Sequence, residues 1–296
     1  MNPFIVVAGA TGNLGGQIVT HLLKLGANVS VIVRSNSNSE KIKELAKKGA
    51  IIHQIDQWDI ASISPICEGA SCVVSALSGL KEVIIDAQTI LLDAAVNASV
   101  PRFIPSDYSL DFTPFNEGEN RNLDWRRSFH QILETRNITA TTIFNGAFAD
   151  MLTGQMPLIL FKQKLVLHWG SANHPMCFTS INNTAQYTAH VALDNSTPRF
   201  LHIAGDIKSP KELQSIISTI SGNKYRIFRA GGLGFLSTMI KIVRFMSGGE
   251  NELYPPWQGM QYMRNMIDER ARLPKLDNDR YPTINWTKTQ DILKAM

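Results

Sequence analysis

Gly9, Gly12 and Gly15 recur at every third position, directly after the apolar run Phe4–Ala8 and before a segment whose Leu14, Ile18, Leu22 and Leu25 return at helical spacing. Strand, glycine turn and helix in that order suit one chemistry well. One glycine permits the tight turn, one lets backbone amides approach a pyrophosphate, and one lets the helix pack closely on the strand. The helix N-terminus then turns unpaired N–H groups and the positive end of its dipole toward the phosphates. Residues 4–16 therefore predict a dinucleotide site, with Gly9, Thr11, Gly12, Asn13, Leu14 and Gly15 forming the turn. A helix-capping turn in an α/β fold that holds no cofactor is the competing reading.

The end of the second strand selects the nicotinamide cofactor. An acid there hydrogen-bonds the adenosine ribose 2′-hydroxyl, whereas a basic residue accommodates the 2′-phosphate of NADP. This chain has Arg34 and Ser35, with Lys41 and Lys43 at the start of the next helix, so NADP(H) is favoured over NAD(H). A solvated Arg34 partnered by Glu40 is the alternative.

A proton donor is harder to place. In short-chain dehydrogenases a Tyr-x-x-x-Lys pair supplies it, the lysine lowering the proton affinity of the tyrosine. Tyr108, Tyr187, Tyr225, Tyr254, Tyr262 and Tyr281 are followed four positions on by Phe112, Val191, Arg229, Gln258, Met266 and Asn285. None has the lysine. Asp107, Tyr108 and His130 remain as candidates, against plain roles as a loop cap, a packing aromatic and a satisfied helix histidine.

The elements that must position these residues alternate. Strands are predicted at 28–33, 50–55, 72–77, 102–105 and 138–144, and helices at 39–48 (capped by Ser39), 81–98 and 122–136. Alternation of this kind builds a parallel sheet with right-handed crossovers, the Rossmann-type doubly wound α/β class, whose ligands sit beyond the carboxyl ends of the strands. Beyond residue 145 the alternation loosens: strands are predicted at 165–169, 177–181 and 200–204, and helices at 184–193 and 210–221, the last capped by Ser209. The expected organisation is a NAD(P)-binding domain over 1–150 and a smaller C-terminal substrate-side lobe over 151–296, interleaved with the end of the sheet.

Bulk properties exclude several classes. A hydrophobic fraction of 44% and a charged fraction of 18% suit a globular chain, and a net charge of +4 from 29 basic and 25 acidic residues is too small and dispersed for nucleic-acid binding. Cys67, Cys72 and Cys177 form no CxxC pair and no Cys/His cluster, so neither a disulfide framework nor a metal site is expected. A cytoplasmic setting without signal peptide is the matching expectation. No membrane partner is expected, because Lys241 and Arg244 interrupt the longest apolar stretch, 233–246.

Three places in the chain carry a family resemblance: Gly-Ala-Thr-Gly-Asn-Leu-Gly-Gly from Gly9, Arg102-Phe-Ile-Pro-Ser-Asp-Tyr108, and Asn145-Gly-Ala-Phe148. Together they resemble the NmrA-like, isoflavone-reductase-like branch of the atypical short-chain dehydrogenase/reductase superfamily, over most of the chain to about residue 206. The resemblance implies that NADPH lies over the glycine loop, that Ser106 and Asp107 border the nicotinamide, that Ser75, Ala76 and Leu77 line the cofactor with Asn145, and that Asp56 and Gln57 flank the adenine. It also implies an active-site lysine near the start of the helix before strand six, and there this sequence departs. Alignment on Leu133-Glu134 puts Arg126 at that position, and no lysine occurs between Lys81 and Lys162. Arginine, with a pKa above about 12, cannot act as a general base at neutral pH but can hold a carbonyl oxygen or carboxylate bidentately.

Two functions follow. One is an NADPH-dependent reductase of a small aromatic or apolar carbonyl or conjugated substrate, with Arg126 orienting the substrate oxygen. The other is a non-catalytic NADP(H)-sensing regulator that binds a protein partner. Under either, the chain is expected to be a monomer or a homodimer. A sugar-nucleotide epimerase is a third and weaker reading. The tail between 232 and 272, rich in Phe, Trp, Tyr and Met, suits core packing, a second subunit, or a substrate lid.

Overall fold

Short apolar runs bounded by turns become the strands of one parallel sheet. In this computed structural model, which describes residues 2–271 and 275–296, the strands are β1 (Phe4–Ala8), β2 (Asn28–Arg34), β3 (Ile51–Ile55), β4 (Cys72–Ser75), β5 (Arg102–Ile104) and β6 (Thr139–Ala140). They lie in the order β3-β2-β1-β4-β5-β6, every neighbouring pair parallel. The chain reverses its direction of growth between β1 and β4, the switch point at which a doubly wound sheet opens a crevice. The expected Rossmann-type architecture is present.

The helices are α1 (Asn13–Lys24), α2 (Ser39–Lys47), α3 (Ile60–Cys67), α4 (Gln88–Asn97) and α5 (Arg121–Leu133). Three differ from their sequence signals. The cap of α2 is Asn38 and not Ser39, because the Asn38 carboxamide reaches the Glu40 and Lys41 N–H groups. Helix α3 was not expected, since Pro65 lies inside it, yet Asp59 caps it by accepting from the Ser62 N–H at 2.8 Å. The expected helix 81–98 opens as a π-helical segment, Glu82–Ala87, before α4 begins. The expected strand 138–144 also divides at Thr141. There the Thr142 N–H turns to the Arg199 carbonyl, so β7 (Thr142–Phe144) leaves the large sheet and pairs with β12 (Phe200–His202).

The remaining elements are β8 (Ala147–Phe148), β9 (Ile159–Leu160), β10 (Leu165–Trp169), β11 (Met176–Thr179), α6 (Ile181–Leu193), β13 (Asp206–Lys208), α7 (Pro210–Ser221), β14 (Arg226–Gly231), α8 (Leu233–Ser247), α9 (Pro256–Met266) and α10 (Thr289–Lys294). Helix α7 carries the expected Ser209 cap, completed by Glu212 as a capping box.

The chain divides into two compact bodies, neither of them continuous in sequence. The first comprises Met1–Tyr108, Trp125–Ile143 and Ile181–Leu201. Its core joins Val6, Ala8, Ile32, Val73, Leu91, Phe103 and Phe129, and α6 packs beside α1 within it. The second comprises Ser109–Asp124, Phe144–Ser180 and His202–Met296. It holds two three-stranded sheets, β14-β10-β9 and β13-β11-β8, around Phe112, Phe144, Phe178, Leu213 and Leu236. Among the described residues no helix is long and apolar enough to cross a membrane.

Candidate functional site

The glycine turn is built by contact with the neighbouring strand end. Gly9 has φ +84°, and a Cβ there would lie 2.4 Å from the Ala76 carbonyl oxygen; a Cβ on Gly15 would lie 2.3 Å from the Gly9 carbonyl oxygen. No side chain fits at either position. Gly12 is different, for its Cβ would meet only the Gly9 oxygen, at 3.2 Å, and the residue is exposed. It occupies the N-cap position of α1, and no side chain caps that helix. Thr11, Asn13 and Leu14 surround it, and the Thr11 carbonyl accepts from Lys41 Nζ at 2.9 Å, which draws a cation onto the turn.

At the end of β2, Arg34 is exposed and its guanidinium lies 5.8 Å from the Trp58 ring centroid. Trp58 is itself fixed by donating Nε1–H to the Ala87 carbonyl at 2.8 Å. Among the described residues Arg34 makes no ion pair with Glu40. Ser35 donates its hydroxyl to Asp56, and Asp56 and Gln57 are exposed after β3. The strand ends thus present Arg34, Ser35, Asp56 and Lys41 on the same body as the glycine turn.

Beyond β4, the fully buried Ser75 hydroxyl finds no hydrogen-bond partner among the described residues. Ala76 carries the carbonyl that Gly9 packs against. Leu77 accepts from the Ser106 hydroxyl at 2.7 Å, and the Ser106 N–H donates to the Gln88 side chain at 2.8 Å. Gln88, which the sequence gave no reason to single out, therefore ties the strand-five segment to α4.

Asp107 is fully buried and accepts at one oxygen from His130 Nε2, at 2.6 Å, and from the Thr142 hydroxyl, at 2.9 Å. Burial opposes its charge, but His130, Arg126 and the Thr142 hydroxyl outweigh that and hold its pKa below the usual carboxylate value. Thr142 accepts in turn from Arg199 Nη1 at 2.8 Å, and Arg199 Nη2 lies 3.4 Å from His130 Nδ1. Both ring nitrogens of His130 are thus engaged inside the protein, with Phe200 stacked on its face at 6.3 Å. Thr142 and Arg199 had no signal in the sequence, because partnership across such separations is visible only once α5, β7 and β12 are folded.

The Tyr108 phenol is buried, which pushes its pKa well up, with Thr188 of α6 pulling the other way. Arg126, half-buried on α5, donates from Nε to the Ser106 carbonyl at 3.2 Å. The fold therefore brings Arg126 onto the segment 105–107.

Asn145 belongs to the second body. Its backbone N–H donates to the Ser109 carbonyl at 2.9 Å and its carbonyl accepts from Thr179 at 2.7 Å. The side-chain amide is fully buried, and neither end finds a partner among the described residues. None of the cysteines is a nucleophile candidate: burial pushes the Cys67 and Cys72 thiols up to about 12 and Cys177 to about 11.

Comparison with known proteins gives the arrangement a family. A model of the NmrA-like family matches residues 1–253. The chain is 25% identical over 315 aligned positions to a bifunctional pinoresinol-lariciresinol reductase of Linum perenne, covering 98% of each. It is 34% identical over 238 positions to an isoflavone reductase homolog of Zea mays, covering 75% of each. Among solved structures, AtPrR2 with NADP+ and (+)pinoresinol superposes with a TM-score of 0.80 at 20% identity, over 100% of this chain and 99% of that one. At that identity the superposition speaks for the fold alone. With its family model reaching from the first strand through α8, the chain belongs to the NmrA-like family.

Proposed function

We propose that the chain is an NADP(H)-dependent reductase of a small aromatic or apolar carbonyl or conjugated substrate. The observation that carries the reading is the unequal use of the three glycines. Gly9 and Gly15 are consumed by internal contacts, whereas Gly12 leaves the open N-terminus of α1 uncovered, where a pyrophosphate requires bare backbone. Arg34, with Ser35 and Lys41 near the turn, supplies the positive charge that a 2′-phosphate needs. The orphaned Ser75 hydroxyl, on the same body as the turn, is a buried polar group of the kind that a ligand satisfies.

The cofactor, when bound, supplies the hydride. Arg126 holds the substrate oxygen and stabilises negative charge on it, since a guanidinium remains charged throughout. The Asp107–His130 pair positions the segment 105–107 rather than exchanging a proton, because both of its members are occupied internally. Water delivers the final proton to the substrate. The NADP+ complex of AtPrR2 and the reductase names of the relatives support the same class of reaction.

A second reading, an NADP(H) sensor that binds a protein partner, is favoured by one observation: Arg126 replaces the lysine implied by the resemblance. One experiment separates the two. Purified protein is titrated with NADPH and NADH, then assayed for NADPH oxidation with aromatic aldehydes, enones and quinones. The reductase reading expects NADPH to bind more tightly than NADH, oxidation with at least one substrate class, and abolished turnover with nearly unchanged NADPH affinity in Arg126→Ala. Binding without oxidation across the panel favours the sensor, and absence of binding overturns both.

A further inference from the structure

Helix α8 buries Leu236 and Ile240 in the second body, yet its outer face is apolar too. Phe235, Ile242, Phe245 and Met246 fall there on one stripe at helical spacing, and they are 56%, 52%, 92% and 79% exposed. Lys241, four positions before Phe245, lies along the edge of the stripe. The next exposed apolar side chains, Ile227 and Phe228, are on the strand that leads into α8, β14. The Phe235 ring lies so close over Gly231, at the end of that strand, that a Cβ there would come within 2.6 Å of it. An exposed apolar patch of this kind marks a contact with protein or with lipid.

Charge narrows the choice. Residues 213–249 contain Lys224, Arg226, Arg229, Lys241 and Arg244, all exposed, and no Asp or Glu. The chain has 29 basic and 25 acidic residues, so this segment accounts for the whole net charge of +4 and the rest is balanced to within one charge. Arg244 is spent on Glu250, to which it makes hydrogen bonds at 2.6 and 3.0 Å. Lys224, Arg226, Arg229 and Lys241 make no ion pair among the described residues, and their complement is an anionic surface. The shape of the patch then favours lipid over an acidic protein. Phe245 and Met246 stand out from the last turn of α8, and a protein partner would have to supply a matching hollow for each, whereas a fluid layer closes around them. The helix itself is held firmly from within: Trp257 donates to the Gly248 carbonyl at 2.7 Å, and Arg264 of α9 donates to Ser237 at 2.9 Å. Such a surface binds without first being ordered.

We propose that the outer face of α8 binds the surface of a bilayer rich in anionic lipid. Phe235, Ile242, Phe245 and Met246 enter the boundary between headgroups and acyl chains, while Lys241, with Arg226 and Arg229 of β14, meets headgroup phosphates and carboxylates. The 15 residues of α8 are too few to cross a bilayer, and a surface contact does not ask them to. The Lys241 that interrupts the apolar stretch 233–246, and so denies it a span, is here part of the binding chemistry. In an isolated interfacial helix the far face is charged and meets water; in α8 it is built into the second body, which does the same work of keeping the helix at the surface. Four side chains make a shallow anchor and the cations are screened by salt, so binding is reversible and needs both contributions.

Cosedimentation of the full chain with lipid vesicles tests the proposal. Binding to mixed phosphatidylcholine and phosphatidylserine vesicles is expected, and binding about tenfold weaker or less to phosphatidylcholine alone. On the mixed vesicles Phe245→Ser is expected to weaken binding about tenfold and Lys241→Gln about fivefold. Thermal unfolding should be unchanged in both variants, because both side chains are exposed. A chain that stays in solution with both kinds of vesicle overturns the proposal. So does equal binding to the two, or binding to the mixed vesicles that Phe245→Ser leaves unchanged. A fall in sedimentation coefficient on Phe245→Ser in the absence of lipid also overturns it, since the stripe is then covered by protein. None of these readouts depends on cofactor binding, so the result stands apart from the reductase reading.

Discussion

The glycine turn and the Asp107 cluster belong to the same body, and they are built in opposite ways. The turn holds its shape with backbone alone: Gly9 against Ala76, Gly15 against Gly9, and no side-chain cap at the head of α1. The cluster holds its shape with charge and hydrogen bonds, Asp107 to His130 and Thr142, and these to Arg199. In the first, the structure leaves an outward-facing backbone unsatisfied. In the second, ionisable groups answer one another. A cluster of titratable residues is therefore not by itself a catalytic site, and a turn with no titratable residue can be a binding one.

Substitutions break this comparison in a definite order. The largest effect is expected from Asp107→Ala, which leaves His130 and Thr142 without their common acceptor; a loss of about 3 kcal/mol in urea unfolding at pH 7 follows. The pH dependence has a fixed sign. Because the folded pKa of Asp107 is depressed, its contribution is fully present above the unfolded value of about 3.9 and is lost as pH falls through the folded one. The stability gap between the wild type and Asp107→Asn should therefore close in strong acid, and a gap that widens there would contradict the depressed pKa.

Gly9→Ala comes next, expected to destabilise by about 2 to 3 kcal/mol, from the strained φ and the overlap with Ala76. Calorimetry without cofactor measures it. Gly12→Ala is expected to do least to stability, within about 1 kcal/mol, while weakening NADPH at least tenfold in a fluorescence titration. This variant sharpens the contrast most. Equal NADPH affinity in Gly12→Ala and the wild type would remove the reason for assigning the bare turn to a phosphate.

What was legible in the sequence follows the same division. Residues 4–16 could be read because strand, turn and helix are adjacent in the chain and sterics there act over a few residues. Arg126 could be placed on the helix before strand six because α5 runs into Leu133-Glu134, which supplied the alignment. Thr142 and Arg199 were not, since their roles arise from the break at Thr141 that joins β7 to β12. Helix α3 was hidden by Pro65, although Asp59 announced its start. The stripe on α8 was visible as composition between 232 and 272, but which of its residues face outward required the packing of Leu236 and Ile240.

Arg102 shows a consequence of the interleaved chain for how this protein is made. Its buried guanidinium is held by the Val191 and Ala192 carbonyls and by Thr197, at 2.7 to 3.1 Å. All three lie far downstream, in or just after α6. During synthesis the six strands emerge from the ribosome before residues 191–197, and the nascent sheet carries Arg102 in water, without the acceptors that hold it in the folded chain. The first body is thus incomplete until residues 181–201 have been made. A fragment ending near residue 150 is expected to be a substrate for chaperones and proteases, not a small nucleotide-binding module.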